Sequence, residues 1–136
     1  MKKLILLLIV IVAFAFAGCG SSSEPEPAVE YDTAGGFHAE VYEDCPVEYA
    51  SAASSAIPQI VPGADTSEMA PQNFIITKYD NGMSSMSFQK VKMDGHEFGG
   101  EIYLELDGDD YKVHYLQIAN KEYLNDGIDL SQYDEK

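Results

Sequence analysis

The chain has 136 residues, 8 basic and 23 acidic, for a net charge of −15 at neutral pH with histidine neutral. That length suits one domain and one hydrophobic core, with little room for a large active-site cleft. The charge repels phosphate backbones and anionic headgroups, which argues against nucleic acid as a partner and rules out a polybasic contact with a membrane surface. Two cysteines, Cys19 and Cys45, are too few for the disulfide framework of a small exported domain.

Met1-Lys2-Lys3 opens the chain with positive charge, and Leu4 to Ala17 is an unbroken apolar run ending in Ala17-Gly18. This pattern is that of a secretory signal peptide, and the run falls short of the roughly 20 residues a membrane-spanning helix needs. Its positive end stays in the cytoplasm, and the chain beyond the apolar run is exported. Phe16-Ala17-Gly18-Cys19 resembles the lipobox of bacterial lipoproteins, with Phe16 at the position where Leu is usual. The resemblance implies cleavage between Gly18 and Cys19 and lipidation of the Cys19 thiol. Two or three acyl chains on one residue anchor firmly where a single chain holds only marginally. The predicted location is therefore the extracytoplasmic face of a cell membrane or outer membrane. Cleavage would remove Lys2 and Lys3, leaving 6 basic against 23 acidic residues and a net −17.

Gly20-Ser21-Ser22-Ser23 and Glu24-Pro25-Glu26-Pro27 read as a tether, flexible at first and then stiffened by proline and charge. The expected organisation is a leader over 1–18, a lipidated cysteine and acidic tether over 19–36, and one domain over 37–136. Within that domain Pro46 to Ile57 reads as a helix with Pro46 at its first position and Pro58 as its stop. Val47, Ala50, Ser54 and Ile57 share one face of it. Residues 59–72 read as a loop with a turn at Thr66–Met69.

From Asn73 the period changes to two. Asn73–Asp80 and Met83–Met93 are predicted strands joined at Asn81-Gly82, a strong hairpin signal. Glu97–Leu106 alternates, with Phe98, Gly100, Ile102, Leu104 and Leu106 on one face and Glu101, Tyr103 and Glu105 on the other. Tyr111–Ala119 and a short strand at Glu122–Leu124 complete the series. The apolar side switches within Met83–Met93 and again within Tyr111–Ala119, which predicts bulges. The expected fold class is α+β, an N-terminal helix packed on a curved antiparallel meander of four to five strands. In outline it resembles cystatin-like and NTF2-like rolls, without a motif in common.

Motifs of catalysis fail on inspection. Ser87-Phe88-Gln89-Lys90 matches S-x-x-K, but it lies mid-strand and the companion motifs are missing. His96-Glu97 lacks the second histidine of a zinc-protease helix; ordinary surface or interior positions account for His38, His96 and His114, and their combination with the many acids as ligands of a transition metal is the sharper reading. Asp107-Gly108-Asp109-Asp110 begins like an EF-hand loop and breaks at Tyr111; turn chemistry accounts for these acids, and weak calcium binding is the sharper reading. Cys45, beside Glu43 and Asp44, reads as an inert thiol. Tyr103, Tyr111, Tyr115 and Tyr123 are the best hint of an exposed binding face, with cross-strand pairing as the plainer alternative. The expected function is a non-catalytic, membrane-anchored module that binds an envelope protein or peptide, without a cofactor. Two alternatives are a ligand carrier or enzyme with a pocket on the concave sheet face, and an acidic cation-binding lipoprotein.

Overall fold

The computed structural model describes residues 26–136, so the leader, Gly18, Cys19 and the tether as far as Pro25 lie outside the described residues. Seven strands form one sheet in strict sequence order: β1 (Val29–Asp32), β2 (His38–Tyr42), β3 (Phe74–Tyr79), β4 (Ser84–Met93), β5 (His96–Asp107), β6 (Asp110–Ile118) and β7 (Lys121–Asn125). Every neighbouring pair is antiparallel. The helix α1 (Val47–Ile60) and a short 3-10 turn at Pro71–Asn73 lie in the connection between β2 and β3. A second 3-10 turn, Leu130–Tyr133, closes the chain.

The class is α+β, an antiparallel sheet with one helix among the described residues, and the strand count corrects the expectation of four to five. Strands β1 and β2 precede the helix, which is therefore not the first element. Val29–Asp32, within the stretch expected to be tether, is strand β1. Its brevity and its run of exposed residues hide it in the sequence, because an edge strand facing water needs no apolar alternation. The turn at Gly35-Gly36 is the one local signal for it.

Helix α1 is built for close approach. Ala50, Ala53 and Ala56 are buried with Ile57 against Phe74, Ile76, Met86, Phe88, Ile102, Leu104, Leu116 and Ile118 of the sheet. Alanine at three of these positions brings the helix axis near the strands, and the large side chains come from the sheet. Val47, expected on that face, is 65 % exposed because it begins the first turn, clear of the sheet. Pro46 is the N-cap rather than the first helical residue, and its carbonyl accepts from Ala50 N–H at 3.1 Å.

Pro58 does not stop the helix, which runs on to Ile60. A proline has no N–H for the carbonyl four residues back, here that of Ser54. The Thr66 hydroxyl donates to the Ser54 carbonyl instead, at 2.8 Å. The loop thus supplies the missing bond, worth about 1 kcal/mol. Thr66–Met69 itself is a turn closed by Met69 N–H to the Thr66 carbonyl, and Asp65 bridges to Lys92 of β4.

The alternation expected in β5 holds: Ile102 and Leu104 face the helix while Tyr103 faces away. Both bulge regions are present. Between Phe88 and Val91 the pair Gln89-Lys90 opposes Gly99 alone, with Lys90 at a φ of 76°. On β6, His114 is the extra residue opposite the Tyr103–Leu104 step. The β4–β5 turn places Asp94 and Gly95 at positive φ, the backbone that a two-residue hairpin turn requires. Gly100 meets a different demand, because a Cβ there would run into the Gln117 carbonyl and lie 2.7 Å from Phe88 Cζ. The Phe88 ring fills the space that a side chain would take.

A second core lies on the face away from α1. Tyr79, Tyr103 and Tyr115 pack there with Ala39, Met83 and Tyr133, and Phe37, Ile128 and Leu130 close over them. Tyr133 is the centre, with its ring 4.6 Å from that of Tyr79, 5.6 Å from Tyr103 and 5.4 Å from Phe37. The C-terminal segment is tied down by backbone as well, through Gly35 N–H to the Gln132 carbonyl at 2.9 Å and Lys136 N–H to the Asp32 carbonyl at 2.9 Å.

Candidate functional site

The four tyrosines expected to form a binding face do not share a surface. Tyr103 and Tyr115 are buried at 7 % and 6 % exposure under the C-terminal segment. Tyr111 and Tyr123 are half-buried on the opposite face, against the helix-side core. The bulges on β6 and β7 cause the split, because each extra residue turns the next side chain to the other face. The plainer reading of paired tyrosines applies to Tyr103 and Tyr115, whose rings meet edge to face at 5.8 Å. Burial raises both phenols, that of Tyr103 to about 12.

Asp107, Asp109 and Asp110 stay in the β5–β6 turn, with Asp107 paired to Asp110 across it. Their carboxylates do not belong to the group of possible metal ligands found among the described residues. That group is Glu30, His38 and Glu40, on the outer hairpin. Strand register creates it. Glu30 pairs with Glu40 and Asp32 with His38, so all four side chains project from one face of β1–β2. His38 Nε2 lies 3.0 Å from Glu30 Oε1 and 3.9 Å from Glu40 Oε2, and Nδ1 lies 3.3 Å from Asp32 Oδ1. Hydrogen bonds to Asp32 and then Glu30 raise the His38 pKa above its ordinary value. Tyr42 donates from its hydroxyl to Glu40 Oε1 at 2.7 Å. Lys78, opposite Glu40 on β3, holds its ammonium over the rings of Tyr42 and Tyr49 at 5.4 and 4.9 Å.

The sequence offers one signal for this group, two short i, i+2 polar patterns (Glu30-x-Asp32 and His38-x-Glu40) flanking Gly35-Gly36. Only the hairpin, unseen in the sequence, brings them together.

His114 is the other histidine with carboxylate neighbours. Its Nε2 lies 2.8 Å from Glu105 Oε1 and its Nδ1 2.7 Å from Asp126 Oδ2. One carboxylate serves each nitrogen, which ties the bulge of β6 to β5 and to the segment after β7. Cys45 is buried, with Sγ 3.9 Å from Met86 Sδ and 3.5 Å from the Pro46 carbonyl. Loss of hydration pushes its thiol up to about 11, outweighing the nearby Lys78. It borders an open depression of about 500 Å³ at the start of α1, also lined by Tyr42, Glu48 and Lys78. Ser87 and Lys90, the S-x-x-K pair, straddle the β4 bulge on exposed strand surface, and no hydrogen bond joins them among those of the described residues.

The chain matches no family model, no curated protein and no solved structure. Its function is therefore read from its own residues.

Proposed function

We propose that the chain is a lipid-anchored protein of the bacterial cell envelope, a non-catalytic binding module held on the extracytoplasmic face by Cys19. The observation that carries this reading is Phe16-Ala17-Gly18-Cys19 at the end of an apolar run that begins behind two lysines. Nine residues, Gly20 to Ala28, separate Cys19 from the first strand. Fully extended they reach at most about 30 Å, so the domain stays within a short radius of its anchor. Its acidic surface is repelled by anionic headgroups, which holds the domain off the bilayer and favours a basic protein or peptide segment as partner. Among the described residues no helix is long and apolar enough to cross a membrane; in this reading retention rests on the acyl chains carried by Cys19. The likeness to cystatin-like and NTF2-like rolls concerns only the helix laid on a meander, and such a likeness brings no function with it.

The test is Cys19→Ser in a bacterial host, with fractionation and intact mass. The wild-type chain is expected in the membrane fraction, beginning at Cys19 and heavier by its acyl groups. The variant is expected to lose both the mass and the processing. A wild-type protein of unmodified mass, or a variant that partitions and matures as before, would overturn the reading.

A further inference from the structure

We propose that Glu30, His38 and Glu40 bind a divalent transition-metal ion of the zinc type on the outer hairpin β1–β2. The charge count at this spot is the first argument. A single ring nitrogen, His38 Nε2, faces two carboxylates at 3.0 and 3.9 Å, with a third carboxylate, Asp32, at Nδ1. One N–H satisfies one acceptor, so the second carboxylate at Nε2 has no donor from the ring. Even a protonated imidazole offsets only one of the three carboxylate charges, and Lys78, the nearby cation opposite Glu40, is drawn over the rings of Tyr42 and Tyr49. A divalent cation in place of the Nε2 proton serves both oxygens and balances them.

Distances are the second argument. Zinc binds imidazole nitrogen and carboxylate oxygen at about 2.0–2.2 Å, which places neighbouring ligand atoms about 3.4 Å apart in a tetrahedron. The two observed separations from Nε2 bracket that value, and all three ligand atoms lie within 4.8 Å of one another. Small side-chain rotations close the difference on an exposed hairpin.

Orientation is the third. Metal-binding histidines commonly donate their other N–H to a carboxylate, which fixes the ring and its tautomer. Asp32 Oδ1 at 3.3 Å from Nδ1 stands in that role. Tyr42 holds Glu40 by Oε1 and leaves Oε2 turned to the ring. Two of the three ligands are thus oriented from outside, and solvent completes the coordination. His114 lacks this form, since each of its nitrogens has its own carboxylate at 2.7–2.8 Å. A nitrogen ligand favours zinc and its neighbours over calcium, which takes oxygen alone.

The experiment titrates zinc chloride into the full chain in detergent micelles, by calorimetry, with calcium in excess. One zinc per chain is expected, and calcium is not expected to compete. His38→Ala and the isosteric Glu40→Gln should each weaken binding by at least about tenfold, while His114→Ala leaves it unchanged. Melting in EDTA establishes that each variant is folded. Ring 15N spectra should show the Nε2 resonance of His38 moving on zinc addition while Nδ1 stays protonated. The Cys19→Ser chain should bind as the wild type does, so the anchor and the site succeed or fail separately. Absence of saturable binding below millimolar zinc overturns the proposal. So does equal binding by wild type and both variants, which would mark an adventitious ion on an acidic surface only.

Discussion

Cys45 shows how position decides the chemistry of one side chain. It stands at the start of a helix, where an exposed thiol would be activated by the helix dipole. Instead it is folded under α1 against Met86, with 6 % of its surface exposed. Loss of hydration dominates and holds its pKa at about 11, against 9.0 for the free side chain. At pH 8 the thiolate fraction is then about two orders of magnitude below that of an exposed cysteine. Folding favours the neutral thiol, so this contribution to stability is complete below pH 9 and is lost as the pH rises through about 11. Tyr79 and Tyr103 act in the same direction, because burial raises both phenols. The expected outcome is slow reaction of the native protein with a thiol reagent at pH 8 and fast reaction in urea. Equal rates in the two conditions would place Cys45 at the surface.

Among elements, the C-terminal segment closes the second core, and the sequence hides it well. The hairpins after residue 73 are legible because local rules make them: alternation sets the faces, and Asn81-Gly82 and Asp94-Gly95 set the turns. The bulges are legible too, as reversals of the apolar side. Nothing local, however, says that Tyr133 packs on Tyr79 and Tyr103. That contact spans the chain, and Ile128, Leu130 and Tyr133 look like scattered apolar residues in an acidic tail. The tyrosine surface expected from Tyr103 and Tyr115 fails for this reason, since no local pattern marks the element that covers them. The metal group is hidden in the same way, behind a hairpin of two short polar strands. Tyr133→Ala should cost about 3 kcal/mol, because it removes a buried aromatic ring from a cluster with little else to fill the gap. Tyr133→Phe removes only the hydrogen bond from Asn81 Nδ2 to the hydroxyl at 3.0 Å, for about 1 kcal/mol. Urea melts of the two variants give both values. A loss below about 1 kcal/mol for alanine would mean that the segment does not cover the sheet as described.

At the scale of the whole molecule, the sign of the charge is legible from composition and its arrangement is not. Among the described residues the acids are mostly exposed, and attractive pairs with lysine are few. Lys92 to Glu68 at 2.8 Å is one, at the surface, where such a pair contributes about 0–1 kcal/mol. With 23 acidic against 8 basic residues, unscreened repulsion among carboxylates outweighs these attractions, and it is stronger in the folded state because the charges are closer. Salt weakens both, but repulsion is the larger sum. At about 0.15 M the screening length falls to about 8 Å, shorter than most separations across the domain. Raising sodium chloride from about 10 mM to about 0.5 M should therefore raise Tm by several degrees, about 1 kcal/mol or more for a domain of this size. EDTA in both buffers keeps trace zinc at the outer hairpin from mimicking the effect. A melting temperature that stays level or falls with salt would show that local pairs, and not the summed charge, govern the electrostatics of this fold.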